Sequence, residues 1–245
     1  MANDSDDERR AAMRDAALDL VGIKARMAFA QHTAETFKDV GTKLHAWGHM
    51  LGTDRRNGLS PFGHGDDAAV AVSMLLRIAS EIVSGCADLV ASGRHYAGAA
   101  LVRQLVEVEY LAWAFETKDE EAARWLRSTR EERERFFKPS KLRKASGGRF
   151  RGTDYSYHCE LGGHPVPGSW RLLTNAEATG QLMLFDCLTH STHIWGHVFE
   201  WAKGYMLGQI IADKHEAMVA QFTEWQRVDG FTVLPPPPME DVAKL

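Results

Sequence analysis

The sequence predicts an all-α protein, a multi-helix bundle with long loops at about 52–66 and 146–173. Three observations point there. Apolar residues recur mostly at three- and four-residue spacing, alanine and leucine are abundant, and runs of alternating β-branched residues are missing. The first helical stretch runs from about Asp7 to Leu51. A break is expected near Gly22 or Gly41, because glycine inside a helix costs roughly 1 kcal/mol relative to alanine.

"GTDRRNGLSPFGHGDD" follows, with Gly, Pro and Asn dense enough to interrupt helix. Asp66 or Asp67 can cap the next helix, which extends to Gly93, a residue type that commonly ends one. A third helix, "RHYAGAALVRQLVEVEYLAWAFE", is apolar on most faces and is expected at the centre of the bundle. A fourth begins near Asp119 with acidic residues suited to a positive helix start and fades by Pro139. One long helix or a pair covers Asn175 to about Asp229. The expected organisation is a disordered tail over 1–6, a single bundle domain over 7–230 and a Pro-rich tail over 231–245, stiffened by Pro235 to Pro238. No repeat of solenoid period is present.

With 245 residues, 44% hydrophobic and 25% charged, the chain is long enough for one substantial core. A formal charge of −4 gives no global attraction to nucleic acid or to an anionic membrane. Cys86, Cys159 and Cys187 form no C-x-x-C pair and are too few for a disulfide framework, which suggests a reducing compartment. The N-terminus "MANDSDDERR" is acidic where a secretory signal is basic and then apolar, so a cytoplasmic location without a membrane partner is expected.

Two pentapeptides, "HAWGH" (45–49) and "HIWGH" (193–197), each place two histidines four residues apart. At 100° per residue, Asp186, His190, His193, His197 and Glu200 share an arc of roughly 80°. Helical histidine pairs beside a carboxylate can build a zinc or di-iron site, and His45 and His49 could supply a second helix. The Glu of H-E-x-x-H is missing, so this is not the metalloprotease helix. A polar helix face with hydrogen-bonded histidines is the preferred reading, and no cofactor is expected. A divalent metal held by His190, His193, His197 and Glu200 is the alternative.

Arg103 and Glu107 share a face of the third helix among apolar neighbours, where ionised groups are costly unless paired. Such an Arg can register packing, or can meet a phosphate or carboxylate. The loop "YSYHCELGGHPVPGSW" fixes His158, Glu160 and His164 between prolines and glycines, and His164 could exchange a proton near neutral pH. Cys159 lacks an identifiable partner base. From Arg124 to Arg151, eleven Lys and Arg face three Glu, a net of +8. Arg143, Lys144, Arg149 and Arg151 are candidate phosphate contacts there, with Phe136, Phe137 and Phe150 as stacking partners.

The run "LVASGRHYAGAALVRQLVEVEYLAWAF" followed by "YSYHCELGGHP" resembles a widespread group of uncharacterised bacterial all-helical proteins. Their pattern is R-x-x-x-E on a small-residue helix, then a tyrosine and a histidine in a following loop. That group is similar to abortive-infection and HEPN (higher eukaryote and prokaryote nucleotide-binding) proteins, several of which are RNases or nucleotide-transfer partners. The resemblance spans roughly residues 85 to 170 and implies Arg103, Glu107, Tyr157 and His164 as site residues, to which the loop position adds Glu160. HEPN nucleases use an Arg and a His four to six residues apart. The nearest local match, Arg26 and His32, is offset by 240° and lies on different helix faces.

The leading expectation is a defence-type bacterial protein binding RNA or a nucleotide, with Arg103, Glu107, Tyr157, Glu160 and His164 as catalytic candidates. The alternatives are a metal-dependent hydrolase or oxidase using the two H-x-W-G-H motifs, and a non-catalytic protein that binds a partner or forms a homodimer.

Overall fold

The computed structural model describes residues 2–50, 66–174, 176–204 and 208–233. Among them there are eleven α-helices joined by short π and 3₁₀ turns, and no strand. The helices are α1 (Ala2–Leu18), α2 (Leu20–Met50), α3 (Asp67–Ala91), α4 (His95–Thr117), α5 (Asp119–Arg127) and α6 (Arg130–Glu132). They continue as α7 (Pro139–Ala145), α8 (Gly152–His158), α9 (Trp170–Thr174), α10 (Ala176–Gly204) and α11 (Gly208–Val228).

The break in the first helical stretch falls at Asp19, near Gly22, and none occurs at Gly41. Asp19 acts as the cap of α2, its carboxylate accepting from Gly22 N at 2.7 Å. Both glycines lie inside α2, where they allow close approach. A Cβ at Gly41 would sit 2.9 Å from Arg77 Cγ and 3.1 Å from Ser73 O of α3. Helix α1 starts at Ala2, ahead of the expected Asp7. Asp66 caps α3 by accepting from Ala68 N and Ala69 N at 2.9 and 3.1 Å. The chain leaves that helix through Gly93, whose φ of 72° is strained for any residue with a side chain. The rest of the expected 52–66 loop, the break between α10 and α11 and the Pro235 to Pro238 run lie outside the described residues.

Helices α2, α3, α4 and α10 enclose one core containing Phe29, Phe37, Leu75, Leu105, Phe115, Leu184 and Ile194. Helix α11 covers α2, and α1 packs on α10. By length and composition α3 could cross a membrane, but 67% of its most apolar window is buried in the bundle.

The expected loop at 146–173 is largely helical. It holds α8, a π turn at Cys159–Gly163, a 3₁₀ turn at Pro167–Ser169 and α9. The π turn lies against α4 at Gly162, where a Cβ would meet the backbone of Ala99 and Ala100 at 2.4 Å. That contact holds α8 across the face of α4 and presents His158 to α10.

Candidate metal centre

The polar stripe foreseen on α10 is present, and the structure adds the side chains it faces. On α4, Val102, Leu105, Val106 and Ala112 form a buried stripe, and Glu109 falls within it. Its carboxylate is 7% exposed and is met from α10 by two imidazoles. His190 Nδ1 lies 2.5 Å from Glu109 Oε2, and His193 Nδ1 lies 3.2 Å from Oε1. The other nitrogen of His190, Nε2, is 3.5 Å from Asp186 Oδ1 one turn earlier on α10. Asp186 Oδ2 in turn lies 3.6 Å from Nδ1 of His158, the last residue of α8.

Charge is held tightly here. Burial pushes the Glu109 carboxyl upward, but hydrogen bonds from His190 and His193 outweigh it and hold the group down at about 2. Burial pushes His190 downward, yet Asp186 and Glu109 bring it up to about 9. His158 sits below its ordinary value because burial outweighs the pull of Asp186.

Among the described residues, two groups of metal-ligand side chains have donor atoms within 4.8 Å of one another. They are Glu109, His190 and His193, and His158, Asp186 and His190. Two imidazoles and one carboxylate, with a position left for water or substrate, form a donor set used by zinc hydrolases and by non-haem iron sites. A tetrahedral ion about 2 Å from each donor would space them about 3.3 Å apart. The observed separations, 2.5 Å to one Glu109 oxygen and 3.2 Å to the other, are those of direct hydrogen bonds, which an ion would replace. His193, with its side chain 52% exposed, opens the group to solvent.

The remaining metal candidates do not join. His197 is buried, gives its Nδ1 proton to Glu116 and accepts from Arg149 Nη2 at 3.2 Å through Nε2. Glu200 is exposed and paired with Lys203 at 2.5 Å. His45 and His49 meet edge-to-face on α2 with ring centroids 4.4 Å apart, His45 reaching Ser73 of α3 at 3.4 Å, and belong to neither group.

Arg103 and Glu107 pair as expected, at 2.6 Å, but their side chains remain 27% and 34% exposed rather than sunk in the core. Their partner is Tyr155, which accepts from Arg103 at 3.0 Å and donates to Glu107 at 2.9 Å. Burial and that carboxylate raise the Tyr155 phenol to about 12. Tyr157 instead packs its ring against His158 at 5.4 Å, and burial raises its phenol further. Glu160 and His164 are exposed and make no side-chain bond to the couple. The pocket expected from those five residues therefore does not form around Arg103.

The basic segment is largely engaged in internal contacts. Arg124 lies 3.8 Å over Phe136, Arg127 pairs with Asp67 at 2.5 Å and Arg143 lies 4.6 Å over Tyr155. Phe137 is buried, and Phe150 packs on Tyr110 and Trp113, so neither is a free stacking surface. Lys144, Arg149 and Arg151 are exposed. Arg26, of the nearest nuclease-like pair, is fully buried against Asp229.

Sequence reasoning found His190 and His193 but missed Glu109, Glu116 and Tyr155. The signal for Glu109 was its place on the apolar stripe of α4, about 160° from Glu107. No protein-family model, curated protein or solved structure matches this chain.

Proposed function

We propose that the protein is a metal-dependent helical-bundle hydrolase whose ion is held by Glu109, His190 and His193. The observation that carries this reading is the convergence of one carboxylate from α4 and two imidazoles from α10 on one partly open point. When bound there, a divalent ion lowers the pKa of its water and so supplies a nucleophile at neutral pH. Asp186 fixes the His190 ring through Nε2, the outer-shell arrangement that sets tautomer and orientation in metal sites. Glu109, held ionised, needs no proton loss before ligation, whereas His190, brought up to about 9, releases its Nδ1 proton as an ion binds.

The substrate class in this reading is phosphate-bearing, RNA or a nucleotide in a cytoplasmic setting. Helix α8 carries Tyr155 towards the Arg103–Glu107 couple and His158 towards α10, so the couple and the ion site flank one helix. Arg143 lies over the same tyrosine, which adds a second guanidinium beside Arg103.

Elemental analysis of the purified full chain, with a phosphodiesterase assay on single-stranded RNA and on nucleotides, tests this. The expected result is retained zinc, iron or manganese, with cleavage abolished by a chelator and by Glu109→Gln. Protein that neither retains nor takes up any of these ions overturns the reading.

A further inference from the structure

His190 is shared by both ligand groups, and it meets them with different atoms. Nδ1 faces Glu109, which also receives His193, while Nε2 faces Asp186, which also receives His158. The two ring nitrogens of an imidazole point away from each other. Each side of this ring thus has its own carboxylate and its own second imidazole. If the cluster served one ion only, His158 would be surplus: a single carboxylate at Nε2 is enough to orient a ligating histidine. Instead His158 is buried, its Nδ1 turned to the far carboxylate, with its ring edge-on to His190 at a centroid distance of 5.3 Å.

We infer that the site is dinuclear, with His190 bridging two divalent ions as an imidazolate. One ion is held by Glu109, His193 and His190 Nδ1, the other by His158, Asp186 and His190 Nε2. This inference rests on the metal-binding reading above and deepens it. Both ring protons of His190 leave to solvent as the ions bind, and each carboxylate stays an anion that offsets part of the charge. With metal–nitrogen bonds near 2.0–2.1 Å, the ions stand about 6 Å apart. Each has three protein ligands and an open position. His193, with 52% of its side chain exposed, and Asp186, with 36%, give the two ions separate openings to water. The donors are imidazole and carboxylate without thiolate, which suits zinc, copper, iron or manganese.

Native mass spectrometry and elemental analysis of the full chain, stripped with chelator and reloaded with Zn²⁺ or Cu²⁺, test this directly. Two ions per chain are expected in the unaltered protein. One is expected in His158→Ala and in Asp186→Asn, one in His193→Ala, and none retained in His190→Ala. The bridge has its own signature. In the unaltered protein loaded with two Cu²⁺, the low-temperature electron paramagnetic resonance signal collapses through coupling across the imidazolate, whereas the His158→Ala protein returns the full signal of one isolated Cu²⁺. A single ion per unaltered chain, or two ions with uncoupled signals, overturns the dinuclear assignment and leaves the single-ion reading standing. No ion at all overturns both. The unaltered protein alone decides among these outcomes, so a variant that fails to fold does not obscure the result.

Discussion

Arg26 and Asp229 face each other at 3.4 Å across 203 residues of chain, and neither side chain reaches solvent. Arg26 also donates to Ala17 O at 2.8 Å and lies 4.7 Å over the Phe231 ring, while Asp229 accepts from Trp225 Nε1 at 2.7 Å. The pair therefore ties α1, α2 and the turn after α11 together. Removing one partner of a buried ion pair leaves the other charge uncompensated and costs about 3–5 kcal/mol. Asp229→Ala should lower unfolding stability by that amount in urea titration. Replacing both residues with leucine should cost less than the two single changes added together.

Glu109 makes the same point at the candidate centre. In protein stripped of metal, Glu109→Ala leaves His193 without its carboxylate and His190 with Asp186 alone. Stability should fall by about 3 kcal/mol, since a buried charged partner is lost. A change below about 1 kcal/mol in a denaturant midpoint would show that Glu109 is not clamped as observed.

Gly162 allows the π turn to lie directly on the α4 backbone. A methyl group there overlaps atoms that cannot rotate away, so Gly162→Ala must shift α8 and with it His158. The expected cost is about 1–3 kcal/mol, the usual range for overpacking. Because His190 and His193 stand on α10, ion binding at Glu109 should persist while binding at His158 weakens.

His95 gives the pH dependence a sign. Its ring is buried against Gly180, with Nδ1 lacking a hydrogen-bond partner. Burial holds its pKa below the ordinary value, with Glu177 opposing weakly. The unfolded chain therefore binds the proton more readily than the folded one. The stability that follows is fully present above about pH 6.5 and is lost as pH falls through the folded value. Denaturant midpoints measured from pH 7 to pH 5 should drop less in His95→Gln than in the unaltered protein.

Tyr155→Phe removes the hydroxyl that sits between Arg103 and Glu107. The couple is partly exposed, so the loss should be modest, about 0.5–1 kcal/mol, the worth of an ordinary hydrogen bond. A thermal scan that shows no change would place the ion pair's stability in the Arg103–Glu107 contact alone.

The helices were legible because burial follows the 3.6-residue period, and the α10 stripe emerged from the same arithmetic. The break near Gly22 was legible, but Gly41 does not break α2 because its missing side chain leaves room for α3, and that space outweighs propensity. The couple Arg103–Glu107 drew attention for its charge, while Glu109, two residues on, carries the deeper burial. Periodicity shows which face a residue occupies, but only the packed bundle shows which imidazole meets it. The 146–173 segment was read as loop because prolines and glycines dominate it. Its short helical turns are held by contacts with α4 that no local pattern encodes.

Glu109 and His190 stand 81 residues apart in sequence, with His158 between them. Nascent chain emerging without α10 has no means to sequester an ion in this arrangement, however much of the earlier bundle has condensed. The contact itself therefore closes late, and it joins early and late stretches of the polypeptide.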